Sequence, residues 1–374
     1  YQEDGSEYGL HAGATASLNG GQPEHALQLA NQFLEQFPKS TYLRSTQLVR
    51  AEAYFALQDY SRALADLSEL AKARDLSSTQ SSNVLSRLAW CQYLLGDVQT
   101  SARSFARVPA DCAEAQEAKY MVGRAHSEAG DVASAIENWQ SFLDRYPNSE
   151  RRPEVQLSLS RLTGDPDLLR QLLREAPGHE VAAEALLELA GHAAQMGQAQ
   201  QAIKLYREYL QRFPRSPLAD HGRYSLCWEL RAAGELQQAE QELQPLLASK
   251  ADVELQRAAL ELGIWLATEQ QNPQSAQSLW NRFFPGCKDE DKLLELGRLV
   301  AQSWTQAQDP KRSQTQLAAL AKLLKTPSRS LDLLLDRAWL ELDNGTPQTS
   351  APLVQQAIQL APRDPRVLEL CFFA

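Results

Sequence analysis

The sequence has few of the residues that build β-sheets. Among its 374 residues, isoleucine occurs 4 times and valine 12 times, whereas leucine occurs 59 times. Because β-branched side chains fill the pleated surface of a strand, a sizeable sheet is not expected. Charged residues make up 22% and hydrophobic residues 43% of the chain, which is typical of a globular protein rather than a disordered one. The composition therefore predicts an all-α fold.

The sequence also lacks features of membrane-spanning, nucleic-acid-binding and disulfide-rich proteins. No run approaches the roughly 18 apolar residues that cross a bilayer. The formal net charge of −10 argues against nonspecific binding to nucleic acid or anionic membranes, because basic surface supplies most of that attraction. We predict no nucleic-acid partner and no integral membrane segment. The scattered cysteines do not resemble a disulfide framework, although a single bridge is left open: Cys91, Cys112, Cys227, Cys287 and Cys371.

The motifs of common enzymes are absent as well. The six histidines lie far apart, without an HExxH pattern, and there is no GxSxG, GxxxxGK[ST], GxGxxG or calcium-loop sequence. The acidic residues fall on positions expected to face solvent. We predict a protein that is not an enzyme, with no catalytic residue, metal site or cofactor. An alternative is a helical accessory region of a larger enzyme, for example one acting on cell-wall glycans.

Three segments of the chain align without a gap: 21–40, 130–149 and 197–216. Each ends in an aromatic residue, leucine, two variable residues, a second aromatic residue, proline, one variable residue and serine. The starts differ by 109 and 67 residues, close to three and two copies of a unit of roughly 34–37 residues. The chain is therefore predicted to be built from repeats.

Each position of the unit has a predicted structural role. A glycine ends one helix in the left-handed conformation, and a small residue five positions later allows close helix packing. The proline disfavours helix at the residue before it, and the serine is predicted to cap the next helix. These positions are Gly21, Gly130 and Gly197, then Ala26, Ala135 and Ala202, then Pro38, Pro147 and Pro214, and finally Ser40, Ser149 and Ser216.

Weaker copies fill the gaps between the three segments. The small-residue position recurs at Ala63, Ser101, Ala239, Ala276, Ser313 and Ser350, and Leu169 occupies it in one copy. The turn sequence around Asn344 also matches a glycosylation sequon, but we interpret it as a turn between helices. Ten units result. We predict N-terminal repeats over 1–149, a degenerate short repeat and candidate bend over 150–178, and C-terminal repeats over 179–374, in one continuous solenoid.

The unit resembles the tetratricopeptide repeat, with small residues near positions 8 and 20, an aromatic or large apolar residue near 24 and proline near 32. The resemblance covers nearly the whole chain, although the tryptophan of position 4 is missing and later copies often run to 37 residues. It implies a right-handed α-solenoid of about ten antiparallel helix pairs, in which the first helix of each pair lines a concave face. It also implies a non-enzymatic scaffold that binds a protein or peptide.

The aromatic–proline–x–serine ending is similar to that of bacterial cell-envelope repeat proteins, such as outer-membrane assembly lipoproteins and periplasmic coordinators of envelope constriction. The chain begins with Tyr1 rather than methionine, which favours a processed form. Together these observations favour a periplasmic or cell-envelope location over a cytoplasmic adaptor. The oligomeric state is not indicated.

Four of the seven tryptophans recur at repeat position 9, on the inner helix: Trp90, Trp228, Trp265 and Trp339. Aromatic residues with arginine commonly anchor protein interfaces. The candidate partner-binding residues are Trp90, Tyr93, Tyr120, Arg124, Tyr224, Trp228, Arg231, Glu261, Trp265, Arg298 and Trp339.

In this interpretation the three arginines meet acidic groups of a bound peptide. Two alternatives remain open: the position-9 tryptophans pack in the core, or the aromatic row binds a glycan or small ligand. The remaining tryptophans, Trp139, Trp280 and Trp304, are predicted to be core residues.

Overall fold

The computed structural model describes residues 6–248, 252–344 and 347–373. Over these residues the chain forms 21 α-helices and one short 3₁₀ turn, and no strand is present. The all-α prediction is confirmed. The predicted turn after Asn344 includes residues 345 and 346, which lie outside the described residues. The chain divides into two compact units, Tyr1–Ala182 (unit 1) and Ala183–Ala374 (unit 2).

Unit 1 contains ten helices in five consecutive pairs. They are α1 (Glu7–Asn19), α2 (Pro23–Gln36), α3 (Leu43–Ala56), α4 (Tyr60–Leu70), α5 (Ser78–Leu94), α6 (Val98–Phe105), α7 (Ala115–Glu128), α8 (Val132–Arg145), α9 (Arg152–Thr163) and α10 (Pro166–Glu175). The copy predicted to be degenerate is the pair α9 and α10, which are 12 and 10 residues long. The boundary between the units follows it, at Ala182 and Ala183.

Unit 2 continues with five more pairs and a final helix. They are α11 (Ala182–Gln195), which begins at the boundary, α12 (Ala199–Arg212), α13 (Ala219–Ala232), α14 (Leu236–Ala248), α15 (Val253–Glu269), α16 (Pro273–Phe283), α17 (Glu290–Gln306), α18 (Pro310–Ala321), α19 (Pro327–Asp343), α20 (Pro347–Leu360) and α21 (Pro365–Phe373). The 3₁₀ turn Phe284–Gly286 follows α16. The prediction of about ten helix pairs is confirmed over the described residues.

In the nine pairs whose turn the structure describes in full, from α1 and α2 to α17 and α18, the turn is short and contains a left-handed residue. Gly21, Gly130 and Gly197 have φ angles of 71°, 77° and 70°, as their positions predict. The amide of Gln22 donates to the carbonyl of Ser17 at 2.9 Å, which is the six-residue bond of a Schellman motif. Where weaker copies lack the glycine, glutamine takes its conformation, as at Gln58, Gln271 and Gln308.

The structure agrees with the predicted role of the proline but not with that of the serine. Helices α2, α8 and α12 end one residue before the aromatic residue that precedes proline, as predicted. The prediction that the serines cap the next helix is wrong. The hydroxyl of Ser216 accepts the amide of Leu218, and the carbonyl of Ser216 accepts the amide of Ala219, so the serine opens an extra turn ahead of α13. Ser40 and Ser149 do the same before α3 and α9.

The small-residue position is buried in all ten copies. Ala26, Ala135 and Ala202 have no exposed surface, and even Leu169 is only 3% exposed. The core tryptophans are also placed as predicted, since Trp139, Trp280 and Trp304 are at most 5% exposed. All five cysteines are free, and Cys91 and Cys227 are buried. The stripe of small and aromatic residues is therefore what each helix pair buries against its neighbours.

Candidate partner-binding site

The best-formed cluster of predicted site residues lies on α13 and α15 of unit 2. The guanidinium carbon of Arg231 is 5.1 Å from the ring centre of Trp228 and 5.5 Å from that of Trp265. Trp228 is 37% exposed, and Trp265 is half-buried against the core. An arginine near two indole rings gains cation–π attraction from both. We call Trp228, Arg231 and Trp265 the aromatic row.

Tyr224 extends the aromatic row by one helical turn. Its ring meets Trp228 edge to face, with centres 6.3 Å apart and an interplanar angle of 84°. Burial raises the pKa of Tyr224 above its usual range. Like an ordinary tyrosine, Tyr224 is protonated at neutral pH, and its phenol can donate a hydrogen bond. Such a residue combines apolar contact area with one polar group, which suits a protein interface.

A pocket of about 320 Å³ lies beside the aromatic row, between α15 and α17. Its lining is largely polar and includes Trp265, Thr268, Glu269, Gln302 and Ser303. Gln302 occupies the same repeat position as the tryptophans. The pocket could accept a polar side chain while the neighbouring rings contact an apolar one.

Each of the three predicted arginines already has an acidic partner in the chain, and their role toward a bound peptide stays a prediction. Arg231 donates to Glu269 at 2.6 Å through Nη2 and at 3.0 Å through Nε. Arg298 pairs with Asp336, and Arg124 donates to Glu128 at 3.0 Å. An acidic peptide would have to compete with these carboxylates. The arginines serve first to join or order neighbouring helices.

Glu261 takes part in the same kind of link. Its carboxylate accepts from Lys292 Nζ at 2.6 Å, which connects α15 to α17. The bond to Glu261 raises the pKa of Lys292. Further along unit 2, Arg366 donates to Asp332 at 2.8 Å, which connects α21 to α19. A series of ion pairs therefore runs across the first helices of successive pairs.

Trp339 lies apart from the aromatic row. It is half-buried on α19, and its ring centre is 5.5 Å from that of Phe373 on α21. Phe373 itself is 59% exposed. At repeat position 9, Trp228 on α13 is exposed, whereas Trp265 on α15 and Trp339 on α19 are half-buried. The structure brings only the first two of these tryptophans together around one arginine.

Unit 1 holds a second cluster on α5 and α7. Trp90 meets Tyr93 edge to face at 5.8 Å, and the guanidinium carbon of Arg124 is 5.5 Å from the ring centre of Tyr93. The hydroxyl of Tyr93 donates to Glu128, which also accepts from Arg124. Burial and the hydrogen bond to Glu128 raise the pKa of Tyr93 to about 12. We call Trp90, Tyr93, Arg124 and Glu128 the unit 1 cluster.

Tyr120 is a structural residue more than a surface one. It is 8% exposed, and its hydroxyl donates to Glu154 Oε2 at 2.9 Å. Arg151 lies over its ring at 5.0 Å and pairs with Glu154 at 3.1 Å. Burial, with a contribution from Glu154, raises the pKa of Tyr120 to about 12. This side chain offers little area to a partner.

Sequence reasoning missed the acidic partners, although a signal for them exists. Glu128 follows Tyr93 by 35 residues, Glu154 follows Tyr120 by 34 and Glu269 follows Arg231 by 38. Each spacing is about one repeat. Because equivalent positions on successive first helices are neighbours in a stacked array, charges one repeat apart could have been paired in advance.

The four position-9 tryptophans are neither fully buried nor free. Trp90, Trp265 and Trp339 are partly buried against core residues, and Trp228 is exposed.

Within the part of the chain that the structure describes, no group of three histidines, cysteines, aspartates or glutamates is placed to hold a metal ion. Among the same residues, no helix is both long and apolar enough to cross a membrane.

The comparison with protein families gives matches to parts of the chain. Models described as tetratricopeptide repeat match residues 48–116, 117–149 and 166–217. These three ranges of the chain are similar to the tetratricopeptide repeat. The matched ranges cover α4 to α8 and α10 to α12 completely, together with most of α3. The matched ranges thus include the unit 1 cluster, whereas the aromatic row follows the last matched residue.

Solved structures of similar helical proteins were also found. One is the Cut9–Hcn1 hetero-tetramer of the APC/C, at 12% identity over 97% of this chain and 95% of that chain, with a TM-score of 0.39. Another is a tetratricopeptide repeat protein from Parabacteroides merdae, at 13% identity over 79% and 98%, with a TM-score of 0.40. A third is the apo form of the quorum sensor NprR from B. thuringiensis, at 12% identity over 85% and 98%, with a TM-score of 0.42. Since all three scores are below 0.5, we base no conclusion on them.

No curated protein gives a significant match to the sequence. The weaker resemblance to cell-envelope repeat proteins stays a prediction.

Proposed function

We propose that this protein is a non-enzymatic scaffold that binds a peptide or protein segment on the first helices of its repeats. The aromatic row is the main contact in unit 2, and the unit 1 cluster is a second contact surface. The observation that carries the proposal is that the rings of Trp228 and Trp265 both lie within 5.5 Å of the Arg231 guanidinium carbon. Rings ordered in this way bury much area on binding at low cost in conformational entropy.

The chemistry of the aromatic row favours a mixed partner. An apolar or aromatic side chain would pack on the exposed face of Trp228, and a polar side chain would enter the pocket beside Trp265. Glu269 already neutralises Arg231, so the interaction does not depend on an acidic partner. Extended peptides often bind through such alternation of apolar and polar contacts.

We further propose a periplasmic or cell-envelope location, which is supported by the aromatic–proline–x–serine endings of the three strongest repeats. The alternative is a cytoplasmic adaptor. The upstream reading frame tests this proposal: a signal peptide or a lipid-attachment cysteine just ahead of Tyr1 would support the envelope location, and a cytoplasmic domain fused there would contradict it.

The scaffold proposal is tested by affinity capture from native lysate with the full chain. Trp228→Ala combined with Trp265→Ala is expected to lose the captured protein while the circular dichroism spectrum stays unchanged, because neither side chain is fully buried. The matched control combines Met196→Ala with Val253→Ala, two exposed apolar residues of the same unit outside the row, which are 63% and 65% exposed.

A photo-crosslinking side chain at position 228 locates the contact directly. It should join the captured protein, whereas the same group at position 253 should not. Equal capture by the tryptophan variant and the control variant would show that the aromatic row is not the docking surface.

A further inference from the structure

A second cavity in unit 2 lies where α16, the end of α17 and α18 meet. Its volume is about 600 Å³, within the range of small-molecule sites. Trp280, Phe284, Trp304 and Leu323 provide its apolar lining. It shares no lining residue with the aromatic row or with the pocket beside it. We call it the α16–α18 cleft.

The polar wall of the α16–α18 cleft is held in one arrangement. The indole N–H of Trp304 donates to Gln277 Oε1 at 3.1 Å, and Gln277 Nε2 donates to Gln316 Oε1 at 2.9 Å. Because an indole nitrogen can only donate, the orientation of both amides follows from this first bond. Gln316 is 4% exposed. The chain of bonds connects all three helices, so the wall is formed before any ligand arrives.

The charged part of the cleft lining is basic, although the chain as a whole has a net charge of −10. Arg312 is its one charged lining residue, and no carboxylate is among the described residues that line it. The guanidinium carbon of Arg312 is 4.6 Å from the ring centre of Trp304. Its Nε lies 3.3 Å from Asp309, while its two terminal nitrogens have no hydrogen-bond partner within the described residues. With 60% of its side chain exposed, Arg312 can reach a bound anion.

We propose that the α16–α18 cleft binds a small apolar carboxylate. The apolar body of the ligand packs against Trp304, Phe284 and Leu323, and its carboxylate accepts from the terminal nitrogens of Arg312. An arginine fork and a carboxylate form a strong, directional pair, and the lining has no acidic group to repel the ligand. This site is independent of the proposed scaffold function, because it shares no residue with the aromatic row.

The test is isothermal titration of the full chain with 2-naphthoate, compared with the neutral isostere 2-naphthamide. We expect saturable binding of one 2-naphthoate and binding of the amide that is weaker by about tenfold or more, because the charge-assisted bond is lost. Arg312→Gln should weaken 2-naphthoate binding by a similar factor. Lys311→Gln, which removes a charge from an exposed neighbour outside the lining, should leave binding unchanged.

A variant whose side chain fills the cleft tests whether 2-naphthoate binds there rather than at another surface. Ala319 is exposed on α18 and lines the cleft, so Ala319→Trp should abolish binding without unfolding the chain. The proposal is overturned if no saturable binding occurs, if the amide binds as tightly as the acid, or if Ala319→Trp leaves the affinity unchanged. The comparison of acid and amide uses the unaltered protein, so it does not depend on the folding of a variant.

Discussion

At the scale of single residues, Trp139 packs closely against Gly123. A Cβ atom added at Gly123 would lie 2.3 Å from Cδ1 and Nε1 of the indole, so the ring occupies space that any other residue at position 123 would fill. The indole nitrogen of Trp139 is buried and has no hydrogen-bond partner in the described part of the chain. The ring therefore contributes apolar burial and also buries an unsatisfied N–H, which is costly.

This leads to a prediction about two similarly buried tryptophans. Trp139→Ala should cost roughly 3–5 kcal/mol of unfolding free energy, because it leaves a large cavity. Trp139→Phe should cost less than about 1.5 kcal/mol, since it keeps an aromatic ring and removes the unsatisfied donor. Trp304→Phe is the control and should cost more, because the Trp304 N–H is bonded to Gln277. Chemical denaturation measures all three, and a smaller loss for Trp304→Phe would contradict the argument.

At the scale of elements, the turns that lack glycine are local weak points. Gln58 has a φ of 60°, a left-handed conformation that costs a residue with a side chain roughly 1–2 kcal/mol. Glycine adopts it freely but loses more entropy on folding, by about 0.5–1 kcal/mol. The difference leaves a modest net gain for glycine at this position.

Gln58→Gly should therefore raise the unfolding free energy by about 0.5–1 kcal/mol. The control is Gln36→Gly at the last residue of α2, where the chain is helical and another exposed glutamine is replaced. That change should lower stability by up to about 1 kcal/mol. Thermal unfolding of both variants tests this explanation. If both substitutions shift the melting temperature in the same direction, the explanation is wrong.

The burial of Asp336, which pairs with Arg298 between α17 and α19, makes stability depend on pH. Burial raises the pKa of Asp336 above its ordinary value of 3.8, although Arg298 opposes the shift. Because the folded state holds this proton more tightly than the unfolded state, the contribution favours folding at low pH. It is lost as pH rises through the raised pKa.

Asp336→Asn removes this titration. Relative to the unaltered chain, the variant should gain stability as pH rises from 4 to 7, with an effect within about 1 kcal/mol because the pair is partly exposed. Asp131→Asn should change in the opposite direction, since the Ser134 bonds lower the pKa of Asp131. Urea unfolding at both pH values measures the difference. If the change in unfolding free energy caused by Asp336→Asn is the same at pH 4 and pH 7, burial of Asp336 does not make stability depend on pH.

At the scale of the whole molecule, stability comes from contacts between successive helices, so a defect should act mainly on nearby repeats. Within unit 1, Trp139→Ala should speed backbone hydrogen exchange in α7, α8 and α9 far more than in α1 and α2. The core of α1 and α2 is formed by separate residues, including Leu10 and Phe33. Uniform loss of protection across unit 1 would show that it opens as a single cooperative block.

Much of this architecture could be predicted from spacing. The recurrence of small residues located the close helix contacts, and the glycines located the left-handed turns, because both depend on backbone geometry at a single position. The role of Ser216 was not predictable in this way. Its hydroxyl also accepts from Tyr209 at 2.9 Å, and this contact accompanies the extra turn ahead of α13.

The candidate site was less predictable. Position 9 located the tryptophans, but the ion pairs depend on charges one repeat away. The α16–α18 cleft depends on how side chains of three helices fill the space between them, which no single-position pattern describes. That is why Arg312 and Gln277 did not emerge from the sequence.

The buried thiols of Cys91 and Cys227 allow the opening of each unit to be measured by chemical labelling. Burial raises the pKa of both Cys91 and Cys227 to about 12, so each sulfur is protonated and closed to reagents while its surroundings stay packed. Cys91 belongs to unit 1 and Cys227 to unit 2. Alkylation at either cysteine therefore requires opening of the structure around it. Mass spectrometry can measure the two alkylation rates in the unaltered protein, and their ratio compares how often unit 1 and unit 2 open around these cysteines.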